Sequence, residues 1–512
     1  MASLKSLVKD TAIYGMSSIV GRFLNYLLVP IYTAKLAAAG GGYGVITNIY
    51  AYVALLFVIL TFGMETTFFR FVNKEGEDPK VVYPTVLTLV GSVGLAFVAL
   101  VLIFITPLSA LIGYADHPSY VWVMAVTVAI DAFQSIPFAY LRYKKRPVKF
   151  AALKLLFIVM NIALNLFFFV VLPEINGKAT DVGYAFYINL FCTASVTLAF
   201  YKELKAAFCR PKGAKSSELL EFSENSEASE HPGHSDNSEL SESSGTSKLS
   251  LIRRMLSYSW PILVLGIAGI LNQTADKILF PYIYKGADAH VQLGIYGAAS
   301  KIAMIMAMIT QAFRYAYEPF VFGKSKDKDN RETYAKAMKY FIIFTLLAFL
   351  VVMGYINLLR YIIGRDYWEG LDVVPIVMMA EIMMGVYFNL SFWYKLTDRT
   401  IWGAWFSGAG CVVLVAVNVI FVPLYGYMAC AWAGVAGYGT AMTLSYLVGQ
   451  RKYPINYPLA TIAQYVVIAL VMTAAMIAGN KALPLWASLA VNTVLVAAFA
   501  GYVLAREFRK IR

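Results

Sequence analysis

The sequence predicts an all-α polytopic membrane protein of about fourteen transmembrane helices, built from two six-helix repeats in the same orientation and a C-terminal helix pair. Composition, apolar stretches and an internal repeat support this class. Of the 512 residues, 59% are hydrophobic and only 14% are charged, with a mean hydropathy of +0.64. Soluble domains carry about 25% charged residues. The chain is therefore expected to lie in a bilayer.

The apolar stretches set the expected number of helices. A spanning helix needs about 20 predominantly apolar residues. Fourteen stretches satisfy this length: 11–34, 45–69, 83–107, 119–141, 150–172, 182–202, 256–281, 294–320, 336–359, 371–394, 401–422, 427–449, 459–478 and 483–505. The first is longer than the core of about 7–15 residues in a signal peptide and contains Arg22, so we interpret it as a transmembrane helix.

A segment near the N-terminus recurs at an offset of 253 residues. The matched positions are Tyr43 with Tyr296, Gly44 with Gly297, Glu65 with Glu318, Phe69 with Phe322, Arg146 with Arg399 and Asn165 with Asn418. Apolar matches are common between any two membrane helices, so the charged and amide positions carry the argument. One offset kept across several segments indicates an internal duplication.

The duplication divides the chain into four predicted regions. They are an N-terminal six-helix bundle (1–210), a linker (211–250), a C-terminal six-helix bundle (251–452) and a terminal helix pair with a basic tail (453–512). The linker is rich in Ser and Glu and has almost no aromatic residues. Such a composition buries too little apolar surface to offset its ordering entropy, so we expect a disordered tether. A regulatory or partner-binding role is the alternative.

Basic residues occupy alternate loops and predict the orientation. They are Lys5, Lys9, Arg70, Lys74, Lys80, Arg142, Lys144, Lys145, Arg146, Lys149, Arg253, Arg254, Lys324, Lys326, Lys328, Arg331, Lys395, Arg399, Arg451, Lys452, Arg506, Arg509, Lys510 and Arg512. The opposite loops hold scattered single cations. By the positive-inside rule, both termini are cytoplasmic. The net charge of +13 thus reflects membrane topology, and no nucleic-acid partner is expected.

Neither a metal site nor a cofactor is predicted. The four cysteines (Cys192, Cys209, Cys411 and Cys430) have no paired spacing, and the four histidines form no ligand cluster. A glycosyltransferase, polymerase or ligase of the membrane needs a sizeable catalytic loop. The external loops are short, and the long linker lacks any candidate catalytic or phosphate-binding group, so an enzyme is not expected.

Charged residues within apolar stretches are the candidate functional residues, since a charge at the bilayer centre costs about 2.5–3.5 kcal/mol even on the translocon insertion scale. The cations are Arg22, Lys277, Lys301 and Arg314, and the acids are Asp131, Asp276 and Glu381. The cations suit an anionic headgroup in a hydrated cavity. A salt bridge such as Arg22 with Asp131 is the structural alternative, and Lys277 and Lys301 lie near enough to the external end to snorkel. The acids are candidates for ion coupling or for pairing.

The duplicated glutamates suggest a separate role. Glu65 and Glu318 each lie near the cytoplasmic end of a predicted helix. Each is expected to pair with the basic loop after the fourth helix of its half, which is Arg142 and Arg146 in the first half and Lys395 and Arg399 in the second. We hypothesise that these pairs form a cytoplasmic gate; solvated charges at helix ends are the alternative.

The whole pattern resembles a known family. The YG…E…FF segment and its YG…E…F repeat, the LRYKKRP and YKLTDRT loops, and the arrangement of two six-helix repeats plus a terminal pair resemble the multidrug/oligosaccharidyl-lipid/polysaccharide (MOP) exporter superfamily. The similarity is strongest to its polysaccharide-biosynthesis branch, the oligosaccharide flippases of the O-antigen or capsule repeat-unit type, which are related to lipid II flippases. It covers nearly the whole chain except the linker, which is longer than the family pattern predicts.

The resemblance implies a fold and a function. It implies two bundles forming a V around a central cavity, alternating access, and translocation of an undecaprenyl-pyrophosphate-linked oligosaccharide across the bacterial cytoplasmic membrane for surface polysaccharide biosynthesis. Arg22 and Arg314 would be the cavity cations. A coupling ion (H⁺ or Na⁺), membrane lipids and a monomeric state are the associated expectations. The alternative is an ion-coupled exporter of organic cations. That branch places a carboxylate in the first helix, where this chain has Arg22 instead.

Overall fold

The computed structural model describes residues 26–74, 77–177, 180–208, 239–323, 330–397 and 399–508. The structure does not describe the side chains of 208, 239–248, 315–323, 330 and 508. Arg22, the side chain of Glu318 and nearly all of the predicted linker therefore lie outside the described part of the chain. Within that part, nearly every residue is helical and no strand occurs.

Twenty α-helices make up the described chain. In order, they are α1 Leu28–Lys35, α2 Gly42–Thr61, α3 Met64–Val72, α4 Pro79–Ile103, α5 Ile105–Leu111, α6 Pro118–Tyr143, α7 Pro147–Leu166, α8 Leu172–Asn176, α9 Gly183–Ala199, α10 Tyr201–Phe208, α11 Glu239–Ile283, α12 Ala289–Gly323, α13 Asn330–Gly354, α14 Ile356–Leu359, α15 Val374–Leu390, α16 Phe392–Leu396, α17 Ile401–Tyr425, α18 Tyr427–Lys452, α19 Leu459–Ala482 and α20 Leu485–Phe508. A 3₁₀ segment, Arg365–Val373, leads into α15.

Eleven helical stretches among the described residues are long and apolar enough to cross a membrane, and the number is twelve when the bent pair α9–α10 is taken as one span. These twelve match predicted spans, so the prediction of a multi-pass integral membrane protein is confirmed. Of the two remaining predicted spans, 11–34 lies mostly outside the described residues. The other, α18, is a helix of 26 residues, but it is rich in Gly and polar residues and is not apolar enough to be counted with the others. The count of fourteen and the internal repeat stay predictions.

The chain forms two compact units that interleave along the sequence. The larger unit holds the described residues up to Leu55, together with Lys154–Asn189 and the residues from Leu265 onward. The smaller unit holds Leu56–Leu153 and the described residues between Leu190 and Val264. The predicted domain boundaries at 210, 250 and 452 stay a prediction.

In the larger unit, helices α12, α15, α17 and α18 pack into a core. Glycine allows the closest of these contacts. A Cβ atom at Gly410 would lie 2.7 Å from the carbonyl oxygen of Gly437, and one at Gly437 would lie 2.9 Å from the carbonyl oxygen of Gly410. Small residues of this kind let membrane helices touch backbone to backbone. The packing brings α18 against α15, where a predicted acid, Glu381, is located.

The terminal helices α19 and α20 pack on α13 in the same unit. Lys339 of α13 forms an ion pair with Glu507 of α20, and both side chains are about nine-tenths buried. The hydroxyl of Tyr465 donates a 2.9 Å hydrogen bond to the same carboxylate. Nearer the start of α20, Asn492 donates a 2.8 Å hydrogen bond to the carbonyl of Gly354. Polar contacts at two places on α20 thus attach the terminal pair to the unit.

In the smaller unit, helices α3, α4 and α6 pack around aromatic side chains. Phe68 is fully buried and meets the rings of Tyr83 and Tyr143 edge to face. Tyr83 also stacks on Tyr140 with ring centroids 4.0 Å apart. These contacts fix the C-terminal end of α6, which carries Arg142 and leads into the basic loop before α7.

Candidate functional site

Charged side chains meet in the interior of the larger unit, where α11 and α12 pack together. The ammonium of Lys277 lies 3.0 Å from the carboxylate of Asp276, which is only 8% exposed. Tyr296 of α12 donates a 2.7 Å hydrogen bond to the same carboxylate. Lys277 also donates to the carbonyl of Gln273 at 3.0 Å. Pairing therefore accounts for the charge of Lys277 without the snorkelling considered from the sequence.

Two more predicted residues, Lys301 of α12 and Glu381 of α15, complete this group. Both lie close enough to Lys277 for a charge–charge interaction. Among the described residues, Lys301 has no ion-pair partner, and Glu381 has one buried carboxylate oxygen without a hydrogen bond. We call Asp276, Lys277, Tyr296, Lys301 and Glu381 the charge cluster. A buried carboxylate oxygen without a donor is costly when ionised, so Glu381 is suited to take up a proton or a ligand's donor group.

A second site lies thirteen residues farther along α12, at Arg314, or about 20 Å of helix length from Lys301. A small pocket there, the Arg314 pocket, is lined by Thr310, Phe313, Arg314, Phe341, Gly385, Phe388, Asn389, Phe392 and Lys395. The guanidinium of Arg314 lies 4.9 Å from the centroid of the Phe388 ring. The ammonium of Lys395 lies 5.0 Å from that of Phe392. The structure thus brings together two cations that the sequence assigned to different roles.

Polar atoms in the wall of the Arg314 pocket add hydrogen-bonding capacity. Thr310 and Asn389 are both more than nine-tenths buried, yet the Thr310 hydroxyl and the Asn389 side-chain carbonyl have no hydrogen-bond partner. The Asn389 amide nitrogen donates to the carbonyl of Gly385 at 3.0 Å, which fixes the orientation of the side chain. A pocket with two cations and two unused polar groups suits a ligand group that carries negative charge and hydroxyls.

A close helix crossing connects α2 and α12 within the larger unit. Gly44 lies against the backbone of His290 and Gly294, where a Cβ atom would collide with the carbonyl oxygen of His290. A Cβ atom at Gly297 would collide with the hydroxyl of Thr47. We call Gly44, Thr47, Gly294 and Gly297 the glycine crossing. The sequence signal for it was present, because the repeated Tyr-Gly pairs contain Gly44 and Gly297, but sequence reasoning assigned these glycines no role.

Hydrogen bonds next to the crossing join the C-terminal end of α1 to the start of the 3₁₀ segment, and the sequence did not reveal them. The Tyr367 hydroxyl donates to the carbonyl of Leu36 at 2.7 Å, and the backbone amide of Gly364 donates to the Thr33 hydroxyl at 2.9 Å. Tyr367 is fully buried and meets the Tyr43 ring edge to face. These contacts depend on tertiary packing between segments more than 300 residues apart, so no local pattern predicts them.

In the smaller unit, the structure brings Glu65 and Arg142 together in an ion pair. Arg142 also lies over the Phe69 ring, 5.0 Å from its centroid. The other members of the hypothesised gate are placed differently. Arg146 and Arg399 are exposed, and Lys395 lines the Arg314 pocket. The gate itself stays a prediction.

Asp131, the remaining predicted acid, is tied to α9 in the smaller unit. Thr193 donates a 3.1 Å hydrogen bond to its carboxylate. One turn along α6, Gln134 donates to the carbonyl of Thr193 and to the hydroxyl of Thr197, both at 2.7 Å. These hydrogen bonds join α6 to α9, so Asp131 lies among side chains that hold the two helices together. Its predicted partner Arg22 lies outside the described residues. No group of His, Cys, Asp and Glu suited to a metal ion occurs among the described residues.

Comparison with known proteins gives structural neighbours only. No protein-family model and no curated protein matches the sequence. The lipid II flippase MurJ in an inward closed conformation matches with a TM-score of 0.68 and 13% identity, over 96% of this chain and 99% of that chain. A multidrug resistance MATE family transporter of the MOP superfamily matches in an inward-facing conformation, with a TM-score of 0.61 and 15% identity over 86% and 95% of the two chains.

An outward-facing MATE family transporter of the same superfamily matches with a TM-score of 0.53 and 16% identity, over 86% of this chain and 95% of that chain. At these identities the similarity concerns the fold, and all three matches extend over most of both chains. The predicted resemblance is thereby confirmed at the level of the fold, while the polysaccharide-biosynthesis branch stays a prediction. This chain has the fold shared by the lipid II flippase MurJ and the MATE transporters of the MOP superfamily.

Proposed function

We propose that the protein is a flippase that moves an undecaprenyl-pyrophosphate-linked oligosaccharide across the bacterial cytoplasmic membrane by alternating access, with both termini cytoplasmic. The observation that carries the proposal is the Arg314 pocket, where two cations lie beside two buried polar atoms without partners. The fold shared with the flippase MurJ supports the same class of function. The products would serve surface polysaccharide biosynthesis.

The balance of charge favours an anionic substrate. Among the described residues of the charge cluster and the Arg314 pocket, cations outnumber acids by two. The cations are Lys277, Lys301, Arg314 and Lys395, and the acids are Asp276 and Glu381. Arg binds phosphate oxygens through its planar fork, and neighbouring hydroxyl and amide groups can hydrogen-bond sugars. We assign Arg314 and Lys395 to contacts with the pyrophosphate group of the substrate.

The charge cluster supplies a means of coupling. Glu381 has a buried carboxylate oxygen without a hydrogen bond. Lys277 interacts electrostatically with Glu381 and forms an ion pair with Asp276. We assign to Glu381 the uptake and release of a coupling proton. The glycine crossing packs α2 against α12, and the cluster lies on α11, α12 and α15. Protonation of Glu381 would therefore change the charge balance next to the helices that must separate during transport.

We assign the Glu65–Arg142 pair to the cytoplasmic gate. Arg142 lies at the C-terminal end of α6, and Glu65 lies at the start of the short helix α3. Both helices lead into basic loops, which the positive-inside rule places in the cytoplasm. The pair is roughly one-third to two-fifths exposed, so breaking it costs little free energy and suits a contact that opens in each cycle.

An exporter of organic cations is the second candidate, and Glu381 is the observation that favours it. A buried carboxylate beside aromatic residues can bind a lipophilic cation. The fold shared with MATE transporters is equally compatible with this function. The two adjacent lysines oppose it, because they repel a cationic substrate from the same cluster.

Reconstitution distinguishes the two functions. Purified protein in proteoliposomes is supplied with a fluorescent undecaprenyl-pyrophosphate oligosaccharide, and translocation is followed by loss of its accessibility to an external reductant. The same vesicles are loaded with ethidium. Translocation of the glycolipid without movement of ethidium supports the flippase. Movement of ethidium alone, abolished by Glu381→Gln, supports the exporter.

A further inference from the structure

A short amphipathic helix, α10, follows the apolar helix α9 at a sharp angle. The two helices are bent by 59° where they meet. Along α10, Tyr201, Lys202 and Lys205 are exposed, whereas Glu203 is only 3% exposed. A helix that leaves a membrane span at such an angle, with cations on its exposed face, has the pattern of an interfacial helix.

The buried acid of α10 is neutralised within the smaller unit. Both carboxylate oxygens of Glu203 accept hydrogen bonds from the ammonium of Lys149, at 2.7 and 2.6 Å. The Tyr83 hydroxyl approaches the backbone carbonyl of Glu203 at 3.4 Å. The carboxylate that would repel an anionic surface is therefore turned inward and paired, and the outward charge of α10 is positive.

Lys149 connects α10 to the basic loop that precedes α7. In this loop Lys144, Lys145 and Arg146 are all exposed. The combined surface, which we call the α10 patch, consists of Lys144, Lys145, Arg146, Lys149, Lys202 and Lys205. With Glu203 as its acid, the patch has six cations against one anion and a net charge of +5.

Apolar side chains lie among these cations and indicate what the patch contacts. Leu198, Val148 and Tyr201 are 78%, 74% and 65% exposed. A soluble acidic partner does not require exposed aliphatic groups beside its cations, whereas a membrane surface solvates both, with the apolar groups below the headgroups and the ammonium groups among them. We propose that the α10 patch binds the headgroups of anionic phospholipids at the membrane surface where α9 ends.

Spin-labelled lipids test this proposal with the full chain. The protein is reconstituted in phosphatidylcholine, and electron paramagnetic resonance gives the relative association of spin-labelled phosphatidylglycerol over phosphatidylcholine. Because each lysine near a membrane surface contributes attraction to anionic lipid, Lys202→Gln with Lys205→Gln is expected to lower the preference for phosphatidylglycerol by about twofold or more. High salt should lower it in the unmodified protein.

The matched control is Lys74→Gln with Lys80→Gln, which removes the same charge from two exposed lysines outside the patch. This variant is expected to keep most of the preference, and Lys202→Arg with Lys205→Arg is expected to keep all of it. Equal preferences in the unmodified protein and the Lys202/Lys205 glutamine variant would overturn the proposal. A preference that is insensitive to salt in the unmodified protein would also overturn it, even if the glutamine variant failed to fold.

Discussion

The side chain of Asn48 donates a 2.7 Å hydrogen bond to the backbone carbonyl of Lys277. Asn48 is 1% exposed and lies on α2, one residue after Thr47 of the glycine crossing. Lys277 lies in the charge cluster, so this one bond connects the crossing to the cluster. A structural change at the glycine crossing is therefore expected to alter the position of Lys277 in the charge cluster, and the reverse.

Replacing Asn48 with Leu removes the donor and leaves the Lys277 carbonyl unsatisfied in a buried site. Such a loss costs about 1–3 kcal/mol. We expect a lower unfolding temperature in detergent and a slower transport rate. The control is Asn73→Leu, at an exposed asparagine whose side chain donates to the carbonyl of Phe69 in its own segment. If Asn48→Leu and Asn73→Leu change the unfolding temperature and the transport rate by the same amount, the Asn48 hydrogen bond does not couple the glycine crossing to the charge cluster.

The glycine crossing predicts a strong effect of one methyl group. In Gly44→Ala the added Cβ collides with the His290 carbonyl oxygen, so α2 and α12 must move apart. We expect increased labelling by a membrane-impermeant thiol reagent of a cysteine introduced at Tyr43, and slower transport. Gly408→Ala is the control, because a Cβ at Gly408 meets nothing within 4 Å. Unchanged labelling in Gly44→Ala would show that the close packing of α2 against α12 does not limit the access of the reagent to position 43.

Breaking the Glu65–Arg142 pair is expected to change the transport rate while leaving the stability of the protein nearly unchanged. The side chains are 43% and 32% exposed, and exposed pairs contribute only about 0.2–1 kcal/mol. Glu65→Gln should therefore change the unfolding temperature little and alter the transport rate if the pair is a gate. The exchange of charges in Glu65→Arg with Arg142→Glu should restore part of the rate. Normal transport by the double variant Glu65→Gln with Glu318→Gln would contradict the gate hypothesis.

The buried Lys339–Glu507 pair, in contrast, is expected to contribute strongly to stability. Because both side chains are about nine-tenths buried, removing one partner leaves an uncompensated charge and costs about 3–5 kcal/mol. Lys339→Met is expected to lower the unfolding temperature markedly, and Lys339→Met with Glu507→Leu to recover much of the loss. Thermal unfolding in one detergent compares the two. A double variant as unstable as the single one would mean that packing, rather than charge, attaches α20.

The fold was predictable from the sequence because a bilayer imposes a length on every apolar stretch. Twelve predicted spans were recovered on that basis, with α18 as the exception: its glycines and polar side chains lower its hydropathy while Gly437 packs it tightly against α17. Charged residues in apolar stretches were equally visible, and the structure places Asp276, Lys277, Lys301 and Glu381 in one cluster.

Contacts between distant segments were not predictable. The bonds from Asn48 to Lys277 and from Tyr367 to Leu36 join ordinary polar residues whose partners lie more than 200 residues away. The lining of the Arg314 pocket likewise comes from four helices, α12, α13, α15 and α16. Neither Thr310 nor Asn389 differs in sequence from other buried polar residues. Such sites depend on helix packing, for which a single sequence contains no direct signal.

The binding of an anionic headgroup at Arg314 is the central claim, and the most direct test is the translocation rate of the fluorescent glycolipid by Arg314→Gln. The control is Arg365→Gln, at an exposed arginine outside the pocket. Both variants must keep the unfolding temperature of the unmodified protein. A rate at least tenfold lower for Arg314→Gln alone, the effect of about 1.4 kcal/mol of lost binding, is the predicted result. Equal rates for Arg314→Gln and the unmodified protein would contradict it.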